Sequence, residues 1–228
     1  MSEQKPADTS AAPSERTRAK RIGHLAAYDR GTIERILDAS PVCHVAYVLD
    51  SAPVVTPTFQ WREGNRVYWH GSSASRMLQR IDGAEVCMAV TIIDGLVLAR
   101  SGFEHTIGYR SAMLFGKAEA ITDAAEKERH LEVFMEQMLP GRWAMLRPVK
   151  PKELKATAVL SMPIEEASAK ISAGMPTDAD DDLSWPVWAG VIPVALATGA
   201  PVADPRNHPD IEMPDHVRRY RFGAADRS

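Results

Sequence analysis

The stretch Tyr68-Trp69-His70-Gly71-Ser72-Ser73-Ala74-Ser75-Arg76-Met77-Leu78 holds the residues of this chain best suited to gripping an anion. Apolar and aromatic residues run into small hydroxyl residues, and a helical pattern then begins with an arginine in its first turn. A strand end, a serine turn and a helix start would gather backbone N–H groups, three serine hydroxyls and one guanidinium in a small volume. A phosphate monoester needs such donors, because its oxygens only accept hydrogen bonds and its charge favours a helix N-terminus. Serine turns also cap helices with no ligand present, so the pattern alone leaves both readings open.

No other chemistry stands out. The chain has no GxGxxG after a strand, no P-loop, no HExxH and no GxSxG. Its seven histidines are scattered, with no i, i+4 pair to hold a metal. Cys43 and Cys87 lie in apolar runs and lack zinc-site spacing, which reads as two reduced thiols and no metal. Redox or group-transfer chemistry would therefore come from a bound cofactor. Arg110 sits among apolar neighbours and needs a partner, for which a bound phosphate or a carboxylate would serve equally. The run Asp178-Ala179-Asp180-Asp181-Asp182 lacks the glycine and terminal glutamate of a calcium loop and reads as part of a solvated loop over residues 173–184.

The elements that must position these residues follow from periodicity. Asp29 caps a short helix with Ile33, Ile36 and Leu37 on one face, ending near Ser40-Pro41. Strands are expected over 42–49, 53–60 and 66–70, joined by turns at Asp50-Ser51 and Glu63-Gly64-Asn65. A short helix over 75–81 precedes a strand over 85–93 and a long strand over 109–121, with a bulge or bend at Gly116. Asp123 starts the clearest helix, with Leu131, Phe134, Met135 and Met138 on one stripe and Pro140-Gly141 as its stop. A strand over 156–162 and a short helix over 164–171 complete the count. Short strands joined by tight turns point to an antiparallel sheet or barrel with helices outside.

The 228 residues, 45% hydrophobic and 25% charged, suit one domain of this kind. A net charge of −3 argues against a nucleic-acid binder. The first twenty residues carry no signal-peptide core, and Pro193, Gly199 and Pro201 break the longest apolar stretch, so a cytoplasmic protein without membrane attachment is expected. The division expected is a disordered basic arm over 1–20, a domain over 21–205 and a tail over 206–228 with helical character.

Several segments in order resemble one family. RTRAKR at 16–21, YDRGTIERILDASPVCHVAYV at 28–48, APVVTPTFQWREGNRVYWHGSSASRML at 52–78, DGLVLARSGFEHTIGYRSAMLFGKAE at 94–119, PGRWAMLRP at 140–148 and PVWAGVIPV at 186–194 are similar to FMN-binding split barrels. The superfamily is that of pyridoxamine 5'-phosphate oxidase, and the branch resembled borders the nitroimidazole-resistance reductases. The resemblance implies a mainly β fold, a six-stranded antiparallel Greek-key split β-barrel with peripheral helices. It also implies a homodimer with FMN at the subunit interface, acting on a small molecule with a nicotinamide as electron donor.

Residue by residue, the resemblance implies that Pro57, Thr58 and Phe59 lie against the isoalloxazine ring. His70, Gly71, Ser72, Ser75, Arg76 and Met77 match the phosphate segment, Thr91 the adjoining strand, and Tyr109, Arg110 and Ser111 the strand beside the cofactor. Trp188 resembles a C-terminal aromatic reaching the flavin, and His105 is placed as a proton donor to a flavin-bound substrate. Three departures stand out. Met77 replaces the family's lysine, Glu104-His105 stands where paired histidines are common, and the substrate signature of pyridoxamine phosphate oxidases is missing after Trp188. The leading expectation is an FMN-dependent oxidoreductase. A non-enzymatic flavin-binding or sensing protein is one rival. The other is a haem-binding split barrel with His70 or His105 as axial ligand.

Overall fold

The computed structural model describes residues 11–222. Part of the expected disordered arm, residues 1–10, and the last six residues of the tail lie outside the described residues. The strands are β1 (Ala26–Ala27), β2 (Val42–Leu49), β3 (Ala52–Glu63), β4 (Arg66–Ser72), β5 (Glu85–Leu98), β6 (Thr106–Lys117), β7 (Glu119–Ala120), β8 (Thr157–Pro163), β9 (Glu166–Ser172) and β10 (Gly190–Pro193). The helices are α1 (Arg30–Asp38), α2 (Arg76–Arg80), α3 (Ala124–Met138), α4 (Pro151–Ala156) and α5 (Asp215–Arg219).

The ten strands pair antiparallel in one unclosed sheet, nine of them in the order β1-β9-β6-β5-β2-β3-β4-β8-β7 and β10 off this path on β5. Strand β6 runs along one edge of β5, from Glu85 to Val97, so β2 and β10 share the other edge. Ten strands against the six expected has a simple account. Three are short additions of two to four residues, β1, β7 and β10. A fourth, β9, is the segment expected to be helical. Its Ala, Glu and Lys residues are helix formers, but Ala167 and Ala169 alternate into the core and the strand pairs with β6. Tertiary pairing overrides local propensity there.

Local chemistry sets the turns and caps. Asp50 and Ser51 both take positive φ, +49° and +65°, which two-residue hairpin turns require. Asp29 and Asp123 each cap a helix by accepting from the backbone N–H three residues on, at Thr32 and Glu126. Helix α1 plugs the barrel. Its Ile33, Ile36 and Leu37 are buried with Cys43, Val45, Trp69, Met88, Leu114, Leu160 and Met162. Helix α3 covers the outside of β3, β4 and β8, where Phe134 packs with Trp61, Tyr68 and Val159. Met138 packs against this cluster, but Met135 of the expected stripe is not part of it.

Gly116 is not the expected bulge. The register shift of this hairpin lies in β5, between Ile93 and Gly95. Gly116 is instead a place of close approach: a Cβ there would meet Met162 Cγ at 2.9 Å, so that side chain would have to shift. The acidic loop is also not simply solvated. Asp178, its side chain 1% exposed, accepts from the Arg100 backbone N–H at 2.7 Å and the guanidinium at 2.9 Å. Burial pushes its carboxyl up, but the two hydrogen bonds from Arg100 outweigh that and hold it below the usual carboxylate range. The basic arm folds back on its own sheet, where Arg16 pairs with Glu85 and Glu166 and lies over the Phe115 ring.

Candidate functional site

The barrel is split where β3 leaves β4. Their ladder ends at Gln60↔Trp69, and beyond it only the Thr58 hydroxyl reaches across, donating to the His70 carbonyl at 3.2 Å. Pro57, Thr58 and Phe59 lie on one side of this divergence, and His70 with the following turn lies on the other. Phe134 packs beside both, with ring centroids 4.8 Å from His70 and 6.0 Å from Phe59.

The serine turn is more self-satisfied than its sequence implies. The N–H groups of Ser73, Ala74 and Ser75 are engaged by the Ala156 carbonyl, the Ser72 hydroxyl and the Ser72 carbonyl. The hydroxyls of Ser73 and Ser75 and the guanidinium of Arg76 have no partner among the described residues, and Arg76 is exposed. Met77 is buried in the core, so its thioether faces away from any ligand on this turn. Gly71 lies close to α2: a Cβ there would meet Leu78 Cδ1 at 2.9 Å, so the leucine side chain would have to turn aside.

Strand register assigns the remaining candidates to faces, because directly paired residues project to the same side. Phe59 pairs with Val42, Pro57 with His44, His44 with Ala89, Thr91 with Ser111, and Ile93 with Tyr109. Pro57, Phe59, Thr91, Tyr109 and Ser111 thus share the outer face of the sheet. Val42, Val55 and Met113 leave that face apolar and exposed. His44 lies at its centre; its place in an apolar alternation hid it from sequence reasoning. Arg110 alternates to the opposite side and is held by both oxygens of Asp94 at 2.9 Å. The partner that Arg110 needs is a carboxylate of its own hairpin.

The two histidines singled out differ in environment. His70 is half-buried, its Nδ1 is buried without a hydrogen-bond partner, and desolvation lowers its pKa. A neutral imidazole is therefore its form near neutral pH. His105 lies exposed in the β5–β6 loop, with Nδ1 2.8 Å from the Ser101 carbonyl. Trp188 is exposed two residues before β10, its ring close over Gly190, and β10 pairs with β5, apart from the serine turn. Among the described residues no cluster of His, Cys, Asp and Glu could hold a metal ion, and Cys43 and Cys87 are free thiols.

A second space lies behind the split. A cavity of about 800 Å3 opens between the end of α1, β3, the last turns of α3 and the segment from His216 to Phe222. Arg35, Trp61, Phe134, Arg219, Tyr220 and Arg221 are among its walls. Trp61 and Phe134 line this cavity and also lie beside His70. Sequence reasoning missed the cavity, because its outer wall is a tail with no apolar periodicity.

The profile of the pyridoxamine 5'-phosphate oxidase family matches residues 29–171, more than half the chain and the whole of the split. The chain belongs to that family. Within this fold, the flavocytochrome Anf3 from Azotobacter vinelandii is 48% identical, with 92% of this chain and 99% of that one covered and a TM-score of 0.90. The FAD and haem binding protein from Mycobacterium smegmatis is 38% identical over 85% of this chain and 96% of its own, with a TM-score of 0.81. A candidate 5-nitroimidazole antibiotic resistance protein from Bacteroides thetaiotaomicron, 24% identical over 64% of this chain and 86% of its own at a TM-score of 0.53, shares the fold. No curated protein matches the chain. No helix among the described residues is long and apolar enough to cross a membrane.

Proposed function

We propose that the protein is a flavin-dependent oxidoreductase acting on a small molecule, with the flavin in the split between β3 and β4. The observation that carries this reading is the end of the β3–β4 ladder, past which Pro57, Thr58 and Phe59 of β3 stand across from His70, the residue that leads into the serine-arginine turn. In this reading the Thr58 backbone meets the polar edge of the ring, and Phe59 and His70 bound its flat side. Ser73, Ser75 and Arg76 hold the phosphate. The bound flavin supplies hydride or single-electron transfer, with a reduced nicotinamide as the proposed donor. The chain's own residues orient the cofactor and shield it from water.

FAD is proposed in place of the FMN expected from the sequence. The name of the M. smegmatis relative, an FAD and haem binding protein, supports that choice. The turn offers either flavin one exposed guanidinium, with buried Met77 in place of the lysine.

A second reading adds haem to the flavin. It is favoured by the names of the two most fully covering relatives described above. The chain has room for it: a cavity of about 800 Å3, distinct from the split and within the size range of cofactor clefts. The reading also includes a homodimer formed through the outer sheet face, where Val48, Val55 and Met113 are 71%, 60% and 44% exposed.

An absorption spectrum of the purified chain, followed by titration with FAD, FMN, riboflavin and haem, tests both parts. FAD held more tightly than FMN, and both more tightly than riboflavin, is the expected result. Riboflavin binding as tightly as FAD would remove the serine-arginine turn from the site. A bound flavin that no nicotinamide reduces, and that passes no electrons to added acceptors, would make this a flavin-binding or sensing protein rather than an enzyme.

A further inference from the structure

We infer that the haem of the second reading sits in the cavity behind the split, with His216 of the C-terminal tail as its axial imidazole and arginines of the same wall holding its propionates. The inference rests on the haem reading and specifies a place and a ligand for it.

Three observations converge on the cavity. Its walls combine Trp61, Phe134, Tyr220 and Phe222 with the guanidiniums of Arg35, Arg219 and Arg221, which suits a flat apolar ring bearing two carboxylates. The charge balance of the wall is cationic. Its single carboxylate, Asp38, is already bound at both oxygens by Arg62, at 2.8 and 2.6 Å. Arg35 donates to the Thr32 hydroxyl, Arg221 donates to main-chain carbonyls, and Arg219 lies 3.6 Å from Asp215, outside the wall. None of these three is neutralised by a carboxylate of the cavity.

The third observation is the imidazole. His216 is the one histidine in the cavity wall, and its Nε2 is buried with no hydrogen-bond partner among the described residues. The two histidines favoured by sequence lie elsewhere. His70, whose Nδ1 is also buried without a partner, is not in the cavity wall, and its ring centroid lies 5.8 and 4.8 Å from those of Trp61 and Phe134. His105 is on the exposed β5–β6 loop.

The test uses the full chain loaded with FAD and titrated with ferric haem, read by the Soret band and by electron paramagnetic resonance. His216→Ala should weaken haem binding by at least about tenfold and change the ligand-field signature, as loss of a metal ligand does. The Arg219→Ala/Arg221→Ala double variant should weaken it by roughly tenfold, with a smaller loss at high salt. FAD binding should be unchanged in both, which certifies the fold. Failure of the wild-type chain to bind haem would sink the haem reading itself. Wild-type binding that survives in His216→Ala but is lost in His70→Ala or His105→Ala would overturn the placement alone. Capture of small aromatic carboxylates, with no competition by haem, would overturn it as well.

Discussion

At the scale of single residues, the turn after β4 shows how a motif and its structure can differ. Its sequence offers three serines and a row of N–H groups, yet Ser72 and three of the N–H groups are spent on holding the turn itself. What remains for a ligand is two hydroxyls and Arg76. The Arg76→Ala variant should therefore weaken flavin binding by about 1.5–3 kcal/mol, the range for a charged hydrogen bond. Isothermal titration with FAD and riboflavin measures this, and an equal loss for both ligands would contradict a phosphate contact. The strand end, serine turn and helix start that hold these residues were legible in the sequence, because small hydroxyl residues between a strand and a helix signal a turn and a cap. Arg110 was not, because its partner Asp94 lies across a bulged hairpin whose register no local pattern reveals.

His70 has its own consequence for stability. Burial lowers its pKa in the fold, so the unfolded chain takes up a proton first as pH falls. Proton uptake by the unfolded state lowers stability, starting near the ordinary histidine value of about 6.5 and levelling off below the folded value. Urea midpoints at pH 7.5 and 5.5 should show a smaller drop for His70→Gln than for the wild type. An equal drop would mean that His70 carries no part of this dependence.

At the scale of elements, close approaches matter more than flexibility. The Gly116→Ala change puts a methyl against the buried Met162 side chain, and a cost of about 1–3 kcal/mol is expected from chemical unfolding. A cost near zero would show that Met162 can shift aside. Helices α1 and α3 were legible from their caps and apolar stripes. Strand β9 was not, since its alanines fit either state and only pairing with β6 decides between them. Strand β10 was hidden for a related reason: four residues next to prolines gain strand character only from the edge of β5 that β2 leaves free.

At the scale of the whole molecule, the outer face of the sheet is the proposed dimer interface. Val55→Lys places a charge in the middle of the proposed dimer face and should convert a dimer to a monomer by sedimentation or light scattering, with the far-ultraviolet spectrum unchanged. A variant that stays dimeric would move the interface elsewhere. The fold class was legible from the number and spacing of strands and turns. The cavity behind the split was not, because it arises from a tail that returns to the end of α1 after more than a hundred residues.

The Arg16 clamp bears on how this protein can be shortened. One guanidinium stands between Glu85 and Glu166 and rests on Phe115, so the arm works as a stitch across β5, β6 and β9. Proteolysis ahead of Arg16 leaves the stitch in place. Trimming a few residues further would deprive both carboxylates of this shared cation and uncover an aromatic ring. A protease ladder of the N-terminus should accordingly show a sharp border at this residue, with shorter products prone to self-association.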